Sequence, residues 1–137
     1  RRNCLREYAA TIELPIIEKN DYGLRPFVRS VAEDIEHRCG KCYEMRLFET
    51  ARQAAEGGFD SFTPTLFISP YQNHELMREV AERAAAEYGV SFLYRDFRPY
   101  FREGQERARA LEMYIQKYCG CVFSEQERYL KPKKIIP

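Results

Sequence analysis

The chain has 137 residues, of which 45% are apolar and 31% charged, with 22 basic side chains against 21 acidic ones. That length and apolar share suit one domain able to bury a core without staples, and they exclude a disordered chain or a linker. No apolar run reaches the roughly 18 residues of a membrane span and no secretory h-region is visible, so a cytoplasmic protein without a membrane partner is expected.

The chain opens on Arg1-Arg2-Asn3-Cys4-Leu5-Arg6-Glu7-Tyr8, which reads as the inside of a charged helix over 2–10 and predicts chain upstream of Arg1. The run 11–18 is strand-like, Asn20-Asp21-Tyr22-Gly23 is turn chemistry, and Phe27, Val28, Val31 and Ile35 give 24–36 a helical spacing. Cys39 and Cys42 come next. Met45, Phe48, Ala51 and Ala55 then predict a helix over 43–56, stopped by Gly57-Gly58.

Residues 59–68 read as a buried strand in which Pro64 is awkward. Asn73 is placed to cap a helix ending at Tyr88, with Leu76, Met77, Val80, Ala81 and Ala84 inward and Gly89 closing it. A strand over 90–94, a loop over 95–104 and a helix over 105–117 complete the pattern, before Cys119, Cys121 and a basic tail over 131–137. Strands alternating with helical crossovers predict a single α/β domain over 1–137. The expected architecture is a three-layer open, mostly parallel sheet flanked by helices, with its first strand missing.

Five cysteines are a poor count for a disulfide framework, but Cys39-Gly40-Lys41-Cys42 and Cys119-Gly120-Cys121 are two close pairs. In a reducing compartment such pairs bind metal or do redox chemistry. The helix N-terminus beside Cys42, with Arg38 and Lys41 near it, favours the thiolate that either role needs. A disulfide between Cys119 and Cys121 closes a ring too small for relaxed geometry, so the pair suits either an easily reduced bond or a soft metal. Cys4 lacks a partner in sequence. Spacing alone leaves a structural zinc site and an iron–sulfur cluster both open.

Two further segments are candidates. Tyr94-Arg95-Asp96-Phe97-Arg98-Pro99-Tyr100-Phe101-Arg102 interleaves arginines with aromatics, a pattern that grips phosphates and stacks bases, or else packs as an aromatic hinge. Thr63, Thr65, Ser69, Tyr71 and Gln72 fall after a predicted strand, where ligands bind and where turn chemistry also concentrates. His37 and His74 lack metal-ligand spacing and read as capping or surface residues.

Taken in order, 38–47 (Arg-Cys-Gly-Lys-Cys-Tyr-Glu-Met-Arg-Leu), 58–60 (Gly-Phe-Asp), 65–72 (Thr-Leu-Phe-Ile-Ser-Pro-Tyr-Gln), 94–98 (Tyr-Arg-Asp-Phe-Arg) and 116–124 (Gln-Lys-Tyr-Cys-Gly-Cys-Val-Phe-Ser) resemble the QueH type of epoxyqueuosine reductase over nearly the whole chain. The resemblance implies a cobalamin-independent oxidoreductase for the last step of queuosine synthesis, reducing epoxyqueuosine at the tRNA wobble base with two electrons. It implies a 4Fe-4S cluster, an additional mononuclear iron, a tRNA anticodon stem-loop as partner and an electron donor. By motif, Cys39 and Cys42 become metal ligands, while Cys119 and Cys121 become either further ligands or a redox-active pair. Thr65, Ser69, Tyr71, Gln72, Arg95, Asp96, Arg98 and Lys117 become substrate-binding residues. Arg102 and the basic tail join Arg95 and Arg98 against phosphates, and Tyr118 stands beside Asp96 and Lys117 for orienting substrate or managing protons.

The family's Cys-Cys-Ala-Pro motif, which ends its N-terminal strand, is not among the 137 residues, so the chain as written is expected not to assemble the complete metal site. The usual Thr-Thr-Thr-Leu is Thr63-Pro64-Thr65-Leu66, and Ile115 replaces a common Arg. The competing readings are a zinc-containing RNA-binding module and a thiol–disulfide oxidoreductase working through Cys119 and Cys121.

Overall fold

A computed structural model describes residues 1–130; the basic tail predicted over 131–137 lies outside the described residues. The elements in order are α1 (Arg2–Thr11), α2 (Leu24–Val31), α3 (Arg38–Glu56), β1 (Ser61–Phe62), α4 (His74–Tyr88), β2 (Ser91–Phe92), α5 (Phe101–Ala110) and α6 (Val122–Tyr129). Three-residue and four-residue 3-10 turns at Ile35–His37, Thr65–Ile68 and Arg98–Tyr100 link them. The chain gathers into two compact units, Lys19–Phe101 and a second one made of Arg1–Glu18 with 102–137.

The Lys19–Phe101 unit holds the main core. Tyr43, Leu47, Ala51 and Ala54 of α3 face Met77, Val80, Ala81 and Ala84 of α4, and all are buried. Four of these eight seam residues are alanines, and three of them, Ala51, Ala81 and Ala84, have no exposure, so small side chains make up half of the contact between the helices. The buried stripe of α3 differs from the expected one. Met45 and Ala55 are exposed, because the helix begins five residues earlier than the apolar spacing suggests and the stripe is counted from Tyr43.

Residues Ser61 and Phe62 pair in parallel with Ser91 and Phe92, with α4 as the crossover that parallel pairing requires. The expected ten-residue strand over 59–68 is cut to this pair. Pro64 has no N–H to give a ladder, and the chain turns into the 3-10 turn Thr65–Ile68 directly after it. The second strand is correspondingly short, since beyond Leu93 N–H to Phe62 C=O, 3.0 Å, it has no ladder partner among the described residues. The described structure is therefore mostly helical around a two-strand parallel sheet, rather than a many-stranded open sheet. Asn73 caps α4 by accepting from the Leu76 N–H at 3.1 Å, and Gly89 ends it at φ +65, both as expected.

In the other unit, α1 is followed not by a strand but by a return segment. Glu13 takes φ +55, and Glu18 then meets both Arg2 and Arg6 at 2.9 Å, so charge pairing rather than a ladder organises 12–18. Helix α5 runs earlier than the expected 105–117. The turn at Arg98–Tyr100 feeds into it at Phe101, and Glu112 at φ +54 with Met113 N–H on Ala108 C=O, 2.9 Å, terminates it. No helix among the described residues is long and apolar enough to cross a membrane.

Candidate functional site

Both Cys39 and Cys42 lie inside α3, not ahead of it: the helix starts at Arg38, with His37 as its N-terminal flank. At i and i+3 the two thiols share one face of the first turns, next to the N–H groups that have no intrahelical acceptor. Cys39 is exposed and Cys42 half-buried, and neither is part of a disulfide. A Cβ built on Gly40 between them would lie 3.8 Å from the Leu76 side chain, so this turn packs on the start of α4.

The start of α4 carries the second group of expected residues. Tyr43, directly after Cys42, donates its hydroxyl proton to Gln72 Oε1 at 2.7 Å and accepts from the Asn73 N–H at 3.1 Å. Of the capping and surface roles expected for His74 the surface one fails, since it is 7% exposed, and its Nε2 holds the Ser69 carbonyl of the preceding turn at 2.7 Å. Its ring stacks at 5.3 Å on Phe67, which in turn meets Phe92 and Tyr94. His37, by contrast, is exposed and bonded to the Asp34 carboxylate at 2.9 Å, which pushes its pKa up.

The third group follows β2. Arg98 grips Asp96 through Nε on Oδ1, 2.9 Å, and Nη2 on Oδ2, 2.8 Å. This bidentate pair, with the Arg98 N–H and the nearby His74 adding to it, holds the Asp96 carboxyl down at about 2. Asp96 is then a carboxylate at neutral pH and orients rather than donates a proton. The pair also occupies much of the guanidinium that the sequence assigned to phosphates and leaves Nη1 of Arg98 outside it. Arg95, Asp96, Phe97, Pro99 and Tyr100 line an open depression of ≈ 530 Å³. Tyr71 is 84% exposed and sets its ring edge-on to Phe101 at 5.8 Å. Thr65 opens the 3-10 turn after Pro64 and is exposed.

One geometric fact joins these groups. Segments 63–73 and 93–101 leave the carboxyl ends of the two parallel strands, and the Tyr43–Gln72 bond brings the start of α3 to the same end. Open α/β sheets bind ligands there. Cys39, Cys42, Thr65, Ser69, Tyr71, Gln72, Arg95, Asp96 and Arg98 thus all belong to one unit and to one end of it.

Lys117, Tyr118, Cys119 and Cys121 belong to the other unit. Cys121 flanks the start of α6, its carbonyl accepting from the Glu125 N–H at 3.0 Å, and Gly120 takes φ +105, a conformation only glycine adopts readily. Cys119 Sγ lies 3.4 Å from Ser124 Oγ. Lys117 is exposed. Tyr118 packs edge-on to Tyr129 at 6.1 Å, and desolvation followed by the Glu125 charge raises its pKa, which keeps it a phenol that can donate a hydrogen bond. Arg102 reaches Glu106 at 3.4 Å and is otherwise solvated.

The Asp96–Arg98 pair yields a pH prediction. The folded pKa of Asp96 is below the ordinary 3.8, so its stabilising contribution is complete above that value and is lost as pH falls toward about 2. Asp96→Asn is expected to lower stability near neutrality, where the pair's contribution is complete, and to converge with the parent as pH falls toward about 2, as read by urea unfolding at a series of pH values. An unaltered acid limb would show the pair to be without thermodynamic weight.

The protein is mostly helical around a short parallel strand pair with a helical crossover, and it carries thiols and polar loops at the carboxyl end of that pair, where open α/β sheets bind ligands. A family model described as epoxyqueuosine reductase QueH matches residues 1–127. Among curated proteins, the epoxyqueuosine reductase QueH of Dehalococcoides mccartyi is 37% identical over 132 residues, covering 96% of this chain and 72% of its own length. That of Thermotoga maritima is 37% identical over 100 residues, 72% of this chain and 52% of its own. That of Streptococcus pyogenes is 36% identical over 101 residues, 71% and 40%. The chain belongs to the QueH epoxyqueuosine reductase family. It spans about three quarters of the first of these relatives and about half or less of the other two.

The donor chemistry of Cys39 and Cys42 suits an iron–sulfur cluster, but a cluster takes four such ligands. Within either unit, no group of three or more His, Cys, Asp or Glu side chains is gathered among the described residues. The described residues therefore do not by themselves complete such a site.

Proposed function

We propose that this chain contributes the substrate-binding part and two metal ligands of an enzyme that reduces epoxyqueuosine to queuosine in the anticodon loop of tRNA. Support comes from the family membership together with one observation: the Cys39–Cys42 turn, the 63–73 segment and the 93–101 segment share the carboxyl end of one parallel strand pair. Deoxygenating an epoxide to an alkene consumes two electrons and two protons and releases the oxygen as water. A 4Fe-4S cluster with an additional mononuclear iron supplies electrons singly at low potential and a Lewis acid for the leaving oxygen.

The chain's own residues supply the rest. Cys39 and Cys42 hold metal. Thr65, Ser69, Tyr71 and Gln72 contact the unstacked nucleoside, Arg95 and the outer face of Arg98 meet phosphate, and Asp96 orients a donor group of the substrate as a carboxylate. Lys117 serves the same substrate, and Cys119 with Cys121 serves as further ligands or as a redox-active pair. The same reading takes β1–α4–β2 as one repeat of a larger three-layer parallel sheet, residues 1–137 as one α/β domain, and the protein as cytoplasmic.

The test uses the full natural protein, purified without oxygen and supplied with a chemical reductant. It is expected to bind iron and to convert epoxyqueuosine in an anticodon stem-loop RNA to queuosine, seen by mass loss of one oxygen. A protein that binds one zinc, holds no iron and leaves this RNA unchanged would support the non-catalytic RNA-binding module instead. Activity that follows a reversible Cys119–Cys121 disulfide without metal would support the thiol–disulfide oxidoreductase.

A further inference from the structure

Tyr43 is 2% exposed yet carries a hydroxyl into the core. A buried hydroxyl must find partners for its proton and its lone pairs. It accepts from the Asn73 N–H and gives its single proton to Gln72 Oε1. That second bond decides which way round the Gln72 amide sits. The carbonyl oxygen faces Tyr43, so the two Nε2 protons are turned away from it, and no described residue accepts them.

The loop carrying Gln72 is held on every side. Its Ser69 carbonyl is bound by His74 Nε2 at 2.7 Å, the Ser69 hydroxyl accepts from the Tyr71 N–H at 3.2 Å, and Asn73 caps α4. Beside the half-buried amide, the Tyr71 ring is 84% exposed and meets Phe101 at nearly a right angle. An exposed aromatic face next to a fixed hydrogen-bond donor is suited to one ligand chemistry, an unstacked planar base with an acceptor on its edge.

We propose that Tyr43 is a positioning residue for substrate: it holds Gln72 as a donor toward an acceptor atom of the bound base and ties that donor to the Cys39–Cys42 turn. The proposal rests on the RNA reading given above. Phenylalanine at position 43 would fill nearly the same volume, leave the Asn73 N–H without its acceptor and free the amide to flip.

The experiment measures steady-state kinetics of the full natural protein on anticodon stem-loop RNA carrying epoxyqueuosine. Tyr43→Phe is expected to raise KM by about threefold to tenfold, the worth of one hydrogen bond, with kcat kept. Gln72→Ala is expected to do the same, and the double variant to be no worse than Gln72→Ala alone, because Tyr43 acts through Gln72. Gln72→Glu keeps an acceptor for Tyr43 and loses both donors, so it too should raise KM; this variant leaves the core hydroxyl in place and does not depend on how Tyr43→Phe folds. Additive penalties, or a parental KM in Tyr43→Phe or Gln72→Glu, would overturn the proposal while an active parent leaves the functional reading standing. A parent that does not turn over this RNA overturns both.

Discussion

Replacing Cys42 by Ala in the full natural protein is expected to remove most of its iron and to lower turnover of epoxyqueuosine RNA by at least about 100-fold. Changes in the shell around a metal already cost roughly 10–100-fold in affinity or activity, and loss of a direct ligand costs at least that. The size follows from where the helix begins. Because α3 starts at Arg38, Cys39 and Cys42 sit one turn apart on a rigid element, with the free N–H groups of the helix end beside them. Neither thiol belongs to the packed seam, as Cys39 is exposed and Cys42 only half-buried. Removing either is accordingly expected to leave the melting temperature of the metal-free protein nearly unchanged, within the small range of surface substitutions. Iron analysis, turnover and thermal unfolding of Cys39→Ala and Cys42→Ala test this together. Parental iron content in both variants would remove these two residues from the metal site.

Phe67→Ala is expected to destabilise the protein by about 3–5 kcal/mol, the range for deleting a buried aromatic side chain from a core. Phe67 has no exposure and touches three rings, those of His74 at 5.3 Å, Phe92 at 5.9 Å and Tyr94 at 5.4 Å. It stands in the 3-10 turn that replaces the expected strand and packs the 63–73 segment against Phe92 and Tyr94. The cavity it leaves cannot be closed by one neighbour, since each ring is held from its own element. Chemical unfolding gives the stability, and a cost below about 1 kcal/mol would mean that the ring cluster is not a folding contact. Tyr94 is held in addition by the Arg78 guanidinium, 4.5 Å from its ring centroid, so its displacement is expected to disturb the depression lined by Arg95 and Asp96.

Local signals in the sequence carried a good part of this fold. Asn73 and Gly89 bracket α4 because a capping carboxamide and a left-handed glycine act within a few residues of themselves. The inward residues of α4 were legible for the same reason, since 3.6-residue periodicity needs no knowledge of the partner helix. What failed was extent. Apolar runs at 11–18 and 59–68 look alike as strands, yet Glu18 closes one onto two arginines, and Pro64 breaks the other into a 3-10 turn. A ladder depends on its partner strand, and spacing within one segment does not reveal the partner.

The site divides along the same line. The thiols were visible as pairs, and Cys42 was expected at the helix N-terminus; that the helix begins at Arg38 and takes in Cys39 as well was not, because the apolar spacing used to draw it starts only at Met45. Tyr43 stood only as the start of the expected helix and as part of the 38–47 motif, and nothing at that position signals a hydroxyl reaching a glutamine 29 residues away. His74 was read as a capping or surface residue from its lack of metal spacing; its first-turn place on the Ser69 carbonyl suits the first of these, and it buries the ring, which excludes the second. Arg98 was assigned to phosphate from composition, and the carboxylate two residues before it is what takes up most of its fork.

The seam between α3 and α4 bears on how the cysteine end can behave. Ala51, Ala81 and Ala84 have no rotamers to exchange, so the two helices lack the side-chain slack by which most cores absorb a small displacement. A displacement imposed at the first turn of α3 is therefore passed along the backbone toward the Gln72 loop, which Tyr43 joins to it, rather than dissipated nearby.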